Sequence, residues 1–235
     1  MRNWQVFEMN LGRHMVQNDI EIDPQDMGER PGARQVNREK RLSEIIRASI
    51  KVFADEGYAG FSMRKVAAAA GVRLNTVQHY FGDLKSLLLA TIAAAMQTYD
   101  DRYRQLALNR QMLPQDRLEV LLDDIFAEIR KPEVGAFFFE VWALARHDPA
   151  VAALLETAYA AYRGTFAGIA REIKPSLTEM EAEVIGAMMG SWTEGLLVMW
   201  RYGGPGAPTM GAIGLRMKVV CKSLFGAASR AAAKP

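Results

Sequence analysis

The residues best suited to chemistry stand close together, between Ser62 and Lys85. Ser62 precedes Met63, Arg64 and Lys65 at the start of a segment with helical apolar spacing. A helix start offers unpaired backbone N–H groups and a partial positive charge, so it suits an anion such as a phosphate. Arg64 and Lys65 oppose that dipole in an isolated helix, and an arriving anion relieves the conflict. Asn75 and Gln78 bear amides able to hydrogen-bond base edges in a major groove, and Arg73 can pair with guanine or a phosphate. The plain alternative for Arg64 and Lys65 is a pair of solvated surface cations.

Charge distribution points the same way. The net charge of the 235 residues is only +2. Residues 37–85 hold nine Lys/Arg against five Asp/Glu, residues 1–36 hold four against six, and the remainder balances. The basic excess therefore sits where a nucleic-acid surface is expected.

Catalysis finds less support. His14, His79 and His147 are scattered and lack metal-ligand spacing. Neither a phosphate-binding glycine loop nor a nucleophile elbow is present. No catalytic residue, metal or cofactor is expected. The single cysteine, Cys221, leaves no internal disulfide and fits a reducing compartment. Residues 1–20 lack an apolar signal-peptide core, and no uncharged apolar run approaches the roughly 18 residues of a membrane span. The expectation is a soluble cytoplasmic protein with no membrane partner.

The elements that must position these residues read as helices throughout. Leu42, Ile45, Ile46, Ser49, Ile50 and Phe53 recur at helical spacing, and Gly57 is a suitable stop. Ser62 is a good N-cap for a helix over 63–70, which Gly71 ends. A short helix over about 74–80 follows, and Asp83 caps a long one over about 84–109. Further helices are expected at 115–131, 133–146, 149–173, 178–202 and 209–225. Pro114, Pro132 and Pro149 fall at first turns, and Thr178 with Glu181 forms a capping-box pattern. Residues 1–36 lack a period and contain Pro24, Gly28, Pro31 and Gly32, which predicts a disordered or extended segment. The expected class is all-α: a helix-turn-helix domain over 37–84, a larger helical domain over 85–228 and a tail over 229–235.

Val66, Ala70, Val72, Val77 and Tyr80 supply the apolar contacts that join the two short helices. Ala67 gives the small side chain where they approach, and Gly71 the left-handed turn. The segments FADEGYAGFSMRKVAAAAGV (53–72) and TVQHYFGDLKSLL (76–88) resemble the DNA-binding region of the tetracycline-repressor family. That resemblance implies a ligand-responsive transcriptional regulator, most simply a repressor, that binds a near-palindromic double-stranded operator as a homodimer. It implies DNA contacts from Ser62, Arg64, Arg73, Leu74, Asn75, Thr76, Gln78, His79, Tyr80 and Lys85. The sequence departs from the family pattern at three positions. Arg73 replaces a Ser/Thr cap, Gln78 replaces an aromatic residue, and Leu84 replaces a lysine that neighbouring Lys85 can stand in for. An interaction protein whose helix-turn-helix has lost DNA binding is the rival these departures motivate.

Residues 137–170 resemble the C-terminal domain of the family's choline-responsive branch, a domain type shared by regulators of other ligands. Phe138, Trp142, Tyr159, Tyr162, Phe166, Met189 and Trp192 are the candidate pocket for an unidentified small-molecule effector, with core packing as the alternative. Glu140 and Glu194 lie in apolar stretches where an unpaired carboxylate is costly. Each can pair with Arg146 or Arg163, or attract a cation held by aromatic faces. Gly186, Gly190, Leu197, Leu215 and Val219 on the last two helices are the expected dimer interface, with packing inside the chain as the alternative.

Overall fold

The computed structural model describes the backbone of residues 31–204 and 208–231, with side chains over 35–204 and 208–225. Nine helices and no strand occur among them. They fall into two compact units divided between Thr98 and Tyr99.

The first unit holds α1 (Pro31–Gly60), α2 (Met63–Ala70), α3 (Leu74–Phe81) and the start of α4 (Leu84–Ala107). Helix α1 begins at Pro31, so residues 31–36 are helical rather than part of an extension. Proline at a first turn gives up an N–H that has no intrahelical acceptor anyway. Residues 1–30, the rest of that expected extension, lie outside the described residues. Gly57 breaks α1 with φ 64° and ψ −178°, a conformation only glycine adopts without strain. Ile45, Ile46, Phe53, Phe61, Val66, Val77 and Leu87 are buried and form the core. Phe53 and Phe61 meet edge to face with centroids 5.7 Å apart. Two buried hydroxyls tie α1 to α4. Thr91 Oγ1 lies 2.8 Å from Ser49 Oγ, which itself donates to the Ile46 carbonyl at 2.8 Å.

The second unit holds the end of α4, then α5 (Pro114–Ile129), α6 (Pro132–Ala145), α7 (Pro149–Ile173), α8 (Glu179–Tyr202) and α9 (Met210–Ala231). Prolines open α5, α6 and α7 as expected. The capping box of α8 is complete, with Thr178 and Glu181 each accepting the other's backbone N–H. Leu121, Leu122, Phe166, Ala170, Met189 and Cys221 are among the buried core residues. The buried Arg117 guanidinium hydrogen-bonds the Ala107 carbonyl and the Glu172 carboxylate, so it is neutralised where it sits.

Helices α7 and α8 approach closely at two glycines. A Cβ added at Gly186 meets the Arg163 carbonyl oxygen at 2.4 Å, and one at Gly190 meets the Tyr162 ring at 3.7 Å. Both glycines therefore serve packing inside one chain, which corrects their expected place in a dimer interface. Leu197 is likewise buried in its own core, whereas Leu215 and Val219 are exposed. Helix periodicity alone does not say which face of a helix meets its own chain. Among the described residues no helix is long and apolar enough to cross a membrane.

Candidate nucleic-acid interface and ligand site

The nucleic-acid candidates are held by three backbone devices. Ser62, extended at φ −152°, accepts a hydrogen bond from the Lys65 amide and fixes where α2 begins. Gly71, at φ 66° and ψ 28°, turns the chain. Its amide donates to the Ala68 carbonyl at 3.2 Å, and that of Val72 donates to the Ala67 carbonyl at 3.0 Å. Asp83 accepts from the Ser86 amide at 2.7 Å, starting α4. That bond holds the Asp83 carboxyl below its usual range.

Between these devices α3 buries Val77 completely and turns Asn75, Gln78 and His79 outward, with exposed Arg73 just before them. Leu74, Thr76 and Tyr80 flank that face and are half-buried. The His79 ring meets the Tyr80 ring edge to face at 5.7 Å. Arg73 makes no side-chain cap, in keeping with its replacement of a hydroxyl residue. Arg64 is exposed on the first turn of α2, while Lys65 is paired with Glu56 of α1. Lys85 is exposed beside Leu84, itself 37% exposed. The arrangement is a short helix with a polar outer face, carried on a fixed bend beside a second helix start.

The aromatic candidates of the second unit divide in two. Phe166 and Met189 are wholly buried and belong to the core, so the packing alternative applies to them. Trp192 is half-buried against that core. Phe138, Trp142, Tyr159 and Tyr162 form a connected cluster. The Trp142 indole N–H donates to the Tyr159 hydroxyl at 2.6 Å, and that hydroxyl donates to Glu194 Oε2 at 3.4 Å. The Tyr162 and Thr193 hydroxyls lie 2.8 Å apart. Tyr99 and Tyr103 of α4, which the sequence reading leaves out, join the cluster. Tyr99 sits 5.6 Å from the Phe138 ring and Tyr103 5.5 Å from the Tyr162 ring. Their signal in the sequence is their four-residue spacing on one helix face.

Glu194 pairs with neither Arg146 nor Arg163 among the described residues. Burial pushes its carboxyl up to about 7, against the small opposite effect of the Tyr159 hydroxyl. Burial and the Glu194 charge also raise the Tyr159 phenol above its ordinary value. Trp142, Ala145, Ala152, Leu155, Glu156, Tyr159 and Arg163 line an open groove of about 340 Å³ between α6 and α7. Among the described residues no group of three or more His, Cys, Asp or Glu could hold a metal ion.

Residues 45–91 match the family described as bacterial regulatory proteins, tetR family. Residues 114–214 match the C-terminal domain described as BetI-type transcriptional repressor. The chain is 32% identical over 118 residues to the transcriptional regulator PksA of Bacillus subtilis, covering 48% of this chain and 56% of that one. The match thus spans little more than half of that relative. Identity to the transcriptional regulator BetI of Paraburkholderia phymatum is 26% over 164 residues, covering 68% of this chain and 83% of BetI. A Saccharomonospora viridis protein solved in complex with choline superposes with a TM-score of 0.62 at 18% identity, covering 80% of this chain and 96% of that one. At that identity the likeness speaks for the fold alone.

Proposed function

The chain belongs to the tetR family of bacterial transcriptional regulators, and we propose that it is a ligand-responsive repressor acting as a homodimer on a near-palindromic operator. The observation that carries the DNA part is the outward face of α3, with Arg73, Asn75, Gln78 and His79 exposed on a bend fixed by Gly71. Amides and a guanidinium at those positions suit base edges, and Ser62 and Arg64 at the start of α2 suit a phosphate. Tyr80 and Lys85 flank that surface.

The dimer reading rests on an exposed stripe. Val184, Met188, Ser191, Gly195, Met199 and Tyr202 recur along one face of α8, and all are exposed. Leu215 and Val219 extend the apolar surface on α9. Binding to a near-palindrome requires the two α3 helices of such a dimer to lie about 34–36 Å apart, in successive major grooves. Ser191 and Gly195 are the small residues at which two α8 helices can cross. Replacing Met188 with Glu should move the protein from dimer to monomer in sedimentation, and an unchanged dimer would refute this surface.

The effector reading rests on the Trp142–Tyr159–Glu194 cluster, a carboxyl in apolar surroundings with a tyrosine hydroxyl as its donor. Helix α4 has Lys85 at its start and Tyr99 and Tyr103 further along. Ligand that favours a conformer with wrongly spaced recognition helices lowers operator affinity by mass action.

The decisive experiment is fluorescence anisotropy with labelled DNA from upstream of the protein's own gene, titrated at several salt concentrations. Specific binding should weaken steeply with salt. Equal affinity for unrelated DNA would favour a helix-turn-helix that has lost its operator. A compound screen for operator release, repeated with Trp142→Ala, tests the effector site.

A further inference from the structure

The groove between α6 and α7 has a polarity along its length. Glu156, Tyr159 and Arg163 succeed one another on one face of α7, each one turn from the next. Glu156 is exposed at one end and Arg163 at the other, with Trp142 and Tyr159 between them. Ala145, Ala152 and Leu155 supply apolar wall. The Glu194 carboxylate is one hydroxyl away from the groove, behind Tyr159. The Arg163 stem lies along α8 at Gly190, where an added Cβ meets its Cγ at 3.8 Å. Glu194 is one turn further along α8. Both charges thus sit at the α7–α8 seam, yet they do not pair with each other, and Arg163 forms no ion pair among the described residues.

We infer that this groove takes a small amphoteric molecule, with its ammonium against Trp142 and Tyr159, where Glu194 acts through the Tyr159 hydroxyl, and its carboxylate on Arg163. The inference deepens the effector reading given above and rests on it. Aromatic faces and a carboxylate attract a cation, and a guanidinium presents paired N–H donors to a carboxylate. Tyr159 and Arg163 are four residues apart, which on a helix is a rise of about 6 Å. The two charges of the ligand should therefore be separated by a distance of that order. An ω-amino acid with a chain of about five carbons meets the requirement. A simple amine satisfies only the Glu194 end, and a simple carboxylate only the Arg163 end.

Calorimetric titration of the full chain with 5-aminopentanoate, pentylamine, pentanoate and choline tests this. The amino acid should bind at least ten times more tightly than pentylamine or pentanoate. Arg163→Gln should remove that advantage while leaving pentylamine binding unchanged. Glu194→Gln should weaken the amino acid and pentylamine alike. Arg163 is exposed, so its variant should keep the wild-type melting temperature. If pentylamine or choline binds as tightly as 5-aminopentanoate, and Trp142→Ala abolishes it, the amphoteric inference falls while the effector site survives. If Arg163→Gln leaves the amino acid's affinity unaltered, or if 5-aminopentanoate does not bind, the inference also falls. The site itself is then judged separately by the operator-release screen.

Discussion

The two units use glycine and polar groups for opposite ends. In the first unit Gly71 has φ 66°, and nothing lies within 4 Å of a Cβ added there. Its need is conformational. In the second unit Gly186 sits inside α8 with the Arg163 carbonyl where a Cβ would go. Its need is steric. The polar groups differ in the same way. Asn75, Gln78 and His79 are exposed side chains on the outer face of α3. Glu194, Tyr159 and Tyr162 are withdrawn from water and satisfied within the chain, or incompletely so. A recognition surface works by displaying groups on a rigid bend, and a sensing site by leaving a buried group short of partners.

The sharpest test of this contrast pairs the two glycines. Gly186→Ala should cost about 2–3 kcal/mol in urea unfolding, because backbone cannot yield to the methyl. Gly71→Ala should cost only about 1–2 kcal/mol, since the strain is confined to one left-handed residue. A larger loss at Gly71 than at Gly186 would reverse the assignment of the two roles.

Gln78→Ala should lower specific operator affinity by about 1–3 kcal/mol, with the melting temperature unchanged. Anisotropy and thermal unfolding on the same preparation check both halves. A stability loss equal to the binding loss would move Gln78 from display to structure.

Glu194 sharpens the other side. Its folded carboxyl is raised above the unfolded value, so its neutral form favours folding. That stability is fully present below about pH 4.5 and is lost as pH rises through about 7. Glu194→Gln should therefore match wild type near pH 4 and exceed it by about 3 kcal/mol at pH 8. Urea unfolding at four pH values measures the difference, and a gap independent of pH would show that the carboxyl is not held back in the folded state.

The smallest expected effect is at Leu84, exposed on the first turn of α4. Leu84→Lys should raise DNA affinity several-fold and steepen the salt dependence by about one charge, as one added phosphate contact requires. Stability should be untouched. A flat salt response would mean that Leu84 faces away from the DNA.

Much of the first unit was legible in the sequence. Ser62, Gly71 and Asp83 act over one turn of chain, so their side chains or lack of one state the local backbone directly. The start of α1 was less legible, because Pro31 and Gly32 read as breakers when nothing shows which residues follow them in helix. The second unit was legible as helices and not as a site. Thr178 with Glu181 and the three prolines mark boundaries by local chemistry.

Residue types by themselves settled the helical class, the bend at Gly71 and the identity of the polar groups along α3, since each depends on neighbours within a few positions. Folding in three dimensions decided that Gly186 and Gly190 face α7, that Phe166 and Met189 are core, and that Tyr99 and Tyr103 join Trp142 and Tyr159. Those outcomes depend on which faces of distant helices meet, and a helix face carries the same apolar spacing whether it meets its own chain, a second copy or a ligand.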